Sequence, residues 1–390
     1  MSFAKEGVDP KTSLIGDYTN ITNIGVYLVA ITAAMDLNLI NRKEALQRIK
    51  VTLNTLDHLE NYRGFFFNYY NTTTLERGTN LASFVDSAWL SAGLMIVRQA
   101  FPEVEWHCTQ LIKMGNYGLF YDPEQKLMTH GLFMHSGRRS EHHYGILYTE
   151  ARIGSLIGIG KGEVPEEHWF ALARTLPPEA DWQSEKPIGY EPRQSGNHHW
   201  MSGHYHWHDR DYVPSWGGSQ FEALMPLLVL DEMQYAPNSL GANDRTHSIM
   251  QRIYATEDLG YPIWGISPSA TADGRGYGEF GVKKLGMAGY PAGVVTSHAA
   301  GLALMTEPQE AIKNLRRIAV DFHAYGDFGL YDAINPSTRE VGYTYLCLDQ
   351  SMILIALANH LADHSIQRHF AKDPIIQKVL PMIAIEKFFE

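Results

Sequence analysis

Residues 23–40, "NIGVYLVAITAAMDLNLI", place apolar side chains at i, i+3, i+4 and i+7, and "RKEALQRIKVTLNTLDHL" at 42–59 repeats that helical spacing after a short break. So short a turn folds the second helix back on the first, and the pair reads as a helical hairpin. The same unit recurs at 80–101 with 104–115, 144–160 with 165–175, 219–233 with 243–257, 291–305 with 307–322, and 347–362 with 373–388. Twelve helices in six hairpins predict an all-α chain, a single domain over residues 1–390 arranged as an (α/α)6 toroid. The first helix of each pair is rich in Ala, Gly, Ser and Leu and suits a crowded inner ring; the second carries more charge and suits the outside.

The connections at 61–79, 116–142, 176–215, 258–290 and 323–345 are long and rich in aromatic residues, glycine and proline. Loops of that length are uncommon unless they serve a function. With tight turns on the opposite side, they would gather on one face and line a groove there. A net charge of −11 argues against a nucleic-acid partner, which needs a basic stripe. An aromatic share of 12% suits an oligo- or polysaccharide substrate instead. Cys108 and Cys347, the two cysteines of the chain, form no C-x-x-C pair, so neither a disulfide framework nor a thiolate zinc site is expected. The start, "MSFAKEGVDPKTSL", lacks the apolar stretch of a signal peptide, and no run of about 18 apolar residues is present. The expectation is a monomer without a membrane span or cofactor, cytoplasmic or, had a leader been removed, periplasmic.

Glycosidic bond cleavage uses a carboxylic acid and a carboxylate at the mouth of a sugar-sized groove. Asp86, Glu222 and Asp349 each stand at an expected helix start. Glu222 lies in "PSWGGSQFEALMP" (214–226), where Ser219 and Glu222 spell a capping box and Trp216, Gly217 and Gly218 would let a ligand approach closely. Helix cap and catalytic acid are both open readings. Glu150 and Arg152 sit two apart in a helical pattern and cannot face each other, so each needs another partner, in a site or in a structural ion pair. In "NHHWMSGHYHWHDRDY" (197–212), His204, His206 and His208 would share one face of an extended strand, as hydroxyl-binding side chains or as a metal set. Tyr261, Trp264, Tyr277 and Phe280, among glycines, suit a platform for sugar rings. Ser297 and His298 lack the G-x-S-x-G elbow of a serine hydrolase.

Six motifs, in order, resemble one family: "TNIGVYLVAITAAMDLNLI", "YTEARIGSLIGIGKGEVPEEHWF", "PSWGGSQFEALMP", "WGISPSA", "GYGEFGV" and "LDQSMILIALAN". They are similar to the glucoamylase-like domain of cyclic β-1,2-glucan synthases and of endo-β-1,2-glucanases of glycoside hydrolase family 144. The resemblance implies the toroid, a groove for β-1,2-linked glucose and hydrolysis with inversion. It implies Glu222 as general acid and Asp349, beside Gln350, as a candidate base. Family-144 members often begin the third helix with Asp-x-x-Glu, whereas this chain has Ser83-Phe84-Val85-Asp86, closer to the synthase version. That departure brings in two alternatives, a transglycosylase and a non-catalytic carbohydrate-binding protein.

Overall fold

The computed structural model describes residues 7–9, 14–180 and 185–389; the rest of the quoted start lies outside them. Fifteen α-helices occur among the described residues. Helix α1 (Ile21–Asp36) packs on α2 (Arg42–Leu56), α3 (Phe84–Ala100) on α4 (Glu105–Met114), and α5 (Arg152–Gly160) on α6 (Glu167–Ala171). Beyond them α7 (Gln220–Leu224) packs on α9 (Leu240–Ile253), with the one-turn α8 (Glu232–Tyr235) between. Next, α10 (Ser297–Leu302) packs on α11 (Pro308–Asp321) and α12 (Cys347–Leu361) on α13 (Ser365–Ala371), before the short α14 (Pro374–Gln377) and α15 (Leu380–Ile383).

The first members of these pairs also pack on one another: α1 on α3 and α12, α3 on α5, α10 on α7 and α12. Their burial follows. Helix α1 is buried along most of its length, whereas α11 buries only Ala311, Asn314 and Ile318. Helices α1 and α3 cross at Gly25 and Gly93, where a Cβ on Gly93 would stand 2.3 Å from the Gly25 carbonyl oxygen. Any side chain there would push the two helices apart.

The all-α expectation needs correction in the connections, which form sheets of two or three short antiparallel strands. These strands do positional work. Tyr18–Asn20, Leu81–Ser83, Val295–Thr296 and Tyr345–Leu346 run directly into α1, α3, α10 and α12, so strand pairing anchors each helix start. Helix boundaries shift for local reasons. The segment expected to start at 144 begins at Arg152 because His143 and Tyr144 pair with Met128 and Thr129. Pro226 ends α7 after one turn, and Gly293, at φ +150, delays α10 to Ser297. The last expected helix is divided into α14 and α15, each with proline in its first turn. No helix among the described residues is long and apolar enough to cross a membrane.

Between α5 and α7 the tie is a side chain. Arg152 donates from Nε and Nη2 to Glu232 at 2.8 and 2.6 Å, from Nη1 to the carbonyls of Thr149 and Glu222, and from Nη2 to that of Ala223 at 2.7 Å. Its guanidinium is wholly buried and lies over the Tyr148 ring. Asp244, 3.7 Å away, is pushed well above the usual carboxylate range by burial and then by the charge of Glu232. One cation, one anion and one neutral acid therefore balance inside the core. Arg152→Met should cost about 3–5 kcal/mol by leaving Glu232 buried and unpaired. A denaturant midpoint equal to that of wild type would contradict this role.

Candidate functional site

The helix starts are linked in order, by contact or by charge. Thr22 in α1 donates to Asp86 of α3 at 2.6 Å; Asp86 and Glu222 both act through their charge on Glu150, just before α5; Phe221 of α7 stands edge-on to His298 of α10; and His298 Nδ1 is 3.1 Å from Asp349 of α12. Acids in first turns are favoured by the helix dipole, which explains how the fold tolerates several of them at one end.

A cleft of about 530 Å³ opens over part of this circuit. Glu150 and Glu222 line it together with Trp216, Tyr144, Tyr290, Glu279 and the imidazoles of His130, His142 and His143. Such a volume suits a small ligand or a few sugar units of a chain. Tyr144 and His130 pack as tilted rings with centroids 4.4 Å apart, and His143 is held by Asp122 at 2.8 Å. Burial and the neighbouring His142 and His143 lower the pKa of His130, which keeps it neutral.

Of the two open readings of Glu222, the helix cap is present in its geometry, and the same carboxyl lines the cleft. Ser219 Oγ accepts from the Glu222 N–H while the Glu222 carboxylate accepts from the Ser219 N–H, completing the capping box. Ser215 Oγ donates to Oε2 at 2.7 Å, and the Gly217 N–H reaches both oxygens. The turn that supplies these donors requires glycine: a Cβ on Gly217 would stand 2.1 Å from the Tyr290 ring, and Gly218 has φ +77 beneath the Val282 carbonyl. Burial raises the pKa of Glu222, against the pull of Ser215, Gly217 and Ser219. Oε2 carries most of the donors. Oε1 is left with a single long bond.

Glu150 has no comparable set of donors. Burial first, and then the charge of Glu222, push its carboxyl up to about 8, with Asp86 adding to the effect. Asp86 is itself raised by burial while accepting from Thr22. Ser83 caps α3 by accepting from the Asp86 N–H.

Asp349 belongs to a separate buried group with Asp332 and His298. His298 is raised to about 9 against its burial, by Asp349 and then Asp332. Burial holds Asp349 well above the usual carboxylate range, while His298 keeps Asp332 low. Their ligand atoms lie within 4.8 Å of one another, close enough for a cation, yet imidazolium, carboxylate and neutral acid already balance in charge.

Several expected contacts lie elsewhere. Arg152 is spent on Glu232 and backbone carbonyls, so it cannot reach a ligand. Trp264 is 3% exposed, its backbone clamped by Asn314, and Tyr261 packs against the core; aromatic side chains among glycines serve burial as readily as stacking. His204 and His206 face Asp211 across a hairpin outside the cleft wall, and His208, at φ +54, turns away from the strand that was to align all three. Gln350 donates to the Leu330 carbonyl. Tyr277 is 65% exposed on the strand that carries Glu279 into the cleft two residues later. Sequence reasoning missed Tyr290, Glu279 and the run His142-His143-Tyr144; the last was legible as ring-bearing polar residues in a long connection.

A carboxyl raised by the fold binds its proton more tightly folded than unfolded. Between about pH 4.5 and 8 the folded state therefore holds the extra proton, and Glu150 costs stability increasingly as pH rises through that window. Glu150→Gln should melt close to wild type at pH 5 and above it at pH 9. A pH-independent difference would contradict the shift.

A family model described as "Putative glucoamylase" matches residues 188–374, and a family of unknown function matches residues 8–119. The chain is 30% identical over 281 residues to the cyclic β-(1,2)-glucan synthase NdvB of Rhizobium meliloti, a match covering 67% of this chain and 9% of that protein. It therefore spans about a tenth of that curated relative. A Bacteroides fragilis structure of the same glucoamylase description superposes with a TM-score of 0.77 at 19% identity, covering 98% of this chain and 91% of the other. The endo-β-1,2-glucanase of Chitinophaga pinensis, in complex with sophorotriose and glucose, gives 0.74 at 16% identity, over 98% and 92%. Over residues 188–374 the chain is thus similar in sequence to the glucoamylase-like family, and it shares its fold almost end to end with these structures.

Proposed function

We propose that this chain is a glycoside-cleaving enzyme acting on β-1,2-glucan, a single (α/α)6 toroid over residues 1–390 working as a monomer. The circuit of linked helix starts supports the toroid, and the named relatives support the linkage. The observation that carries the chemistry is Glu150, an acid kept protonated near neutral pH and facing Glu222 in one cleft.

Glu150 gives its proton to the glycosidic oxygen as the bond to the anomeric carbon breaks. Glu222, whose anion Ser215, Gly217 and Ser219 favour against its burial, meets the developing positive charge through Oε1. This exchanges the roles expected from sequence, where Glu222 was the acid. The two carboxyls interact through charge in one cleft; in a retaining course Glu222 bonds to the sugar and Glu150 then deprotonates the incoming hydroxyl. Water as acceptor gives hydrolysis and a sugar hydroxyl gives transfer. Inversion, the reading drawn from the resemblance, is the second route; Asp349 is committed to His298 and Asp332, so Asp86 is its remaining base, supported by its charge effect on Glu150.

The test is a panel of β-1,2-, β-1,3-, α-1,4- and α-1,6-glucans with products resolved by size and early anomers read by proton NMR. β-1,2-Glucan should be cut with retention, activity should fall as pH rises through about 8, and Glu150→Gln and Glu222→Gln should each lose about 100-fold or more in kcat. Full activity in Glu150→Gln would falsify the assignment, and inverted product would transfer the second role to Asp86.

A further inference from the structure

Tyr290 is absent from every motif that points to the family, yet it lines the cleft beside Glu150 and Glu222. Its N–H donates to the Gly217 carbonyl at 2.8 Å, and its ring covers the face of Gly217 that no Cβ could occupy. The same strip of backbone, Ser215 to Gly217, holds the Glu222 carboxylate. Met287, Ala288 and Gly289 are bonded to Ser215 and Trp216 as well, so Tyr290 and Glu222 are fixed to one rigid support.

The direction of one hydrogen bond decides what the Tyr290 hydroxyl can do. It is bonded to the Trp216 side chain, and an indole has a single polar group, an N–H that donates and cannot accept. Trp216 therefore donates to Tyr290 Oη, and the phenol proton is left for another partner. Around it stand Glu150, Glu222 and Glu279, whose charges, after burial, hold the phenol above its ordinary pKa. The hydroxyl is thus a neutral, oriented donor between the two carboxyls and the cleft.

We propose that Tyr290 is a substrate-contacting residue whose hydroxyl, oriented by Trp216, donates to an oxygen of the sugar unit held between Glu150 and Glu222. This rests on the reading of the cleft as a glucan site. Trp216, 40% exposed, would then serve as indole donor and as a face for the neighbouring sugar. The recognised group is an acceptor oxygen on a neutral hexose.

Turnover of the glucan panel by wild type tests the parent reading; the phenol is tested separately, by variants and by binding. Tyr290→Phe keeps the ring on Gly217 and should leave Tm unchanged while lowering kcat/KM by about tenfold or more, the loss of one buried hydrogen bond. Trp216→Phe should cost less in the Tyr290→Phe background than in wild type, because the two act as a unit. In a Glu222→Gln background that binds without turnover, calorimetry of the glucan bound should show weaker affinity once Tyr290→Phe is added. Equal affinity with equal turnover, or no glucan bound at all, would overturn the role of Tyr290.

Discussion

The guanidinium of Arg152 is the constraint on which the site depends. All five of its N–H groups have acceptors inside the protein, and two of those acceptors are main-chain carbonyls of α7, including that of Glu222 itself. A bond from the start of α5 to the backbone of Glu222 sets how near Glu150, two residues upstream, comes to the Glu222 carboxyl. The charges cancel locally through Glu232 and a neutral Asp244, so the clamp adds little field to the cleft. Glu150 consequently feels Glu222 more than it feels the arginine beside it in sequence, which is the order of causes behind its raised pKa.

From that spacing follows a division of labour between two glutamates in one cleft. Glu222 accepts from a serine hydroxyl and two backbone N–H groups, each of which favours its anion. Glu150 is enclosed without such donors and keeps its proton. The helix cap and the proposed chemistry thus share one arrangement: the capping box orients the carboxyl, and the glycine that permits the turn also lets the Tyr290 ring lie against it. The second buried acid pair, Asp332 and Asp349, is neutralised by His298 and braces the starts of α10 and α12.

Much of the scaffold was legible because an amphipathic helix leaves a periodic trace that needs no partner to be read. The hairpins from Ile21 to Leu56 and from Phe84 to Met114 sit within a few residues of their expected ranges. Where boundaries moved, the cause was an interaction distant in sequence, as with Tyr144 taken into a strand by Met128, or a local stop such as Pro226. Glu222 stood out through its cap and its glycines. Arg152 and Trp264 looked like site residues, since nothing in their neighbourhoods announces Glu232 or Asn314 as partners. Tyr290 was invisible for the converse reason: its place is set by Gly217 and Trp216, more than seventy residues earlier.

The central claim is that burial, and then the charge of Glu222, make Glu150 hold its proton, and its titration tests that most directly. With glutamate carboxyls labelled by 13C, the Glu150 signal, assigned by its loss in Glu150→Gln, should titrate near pH 8 in wild type and at clearly lower pH in Glu222→Gln. Titration in the ordinary carboxylate range in wild type, or a midpoint indifferent to Glu222→Gln, would contradict the account.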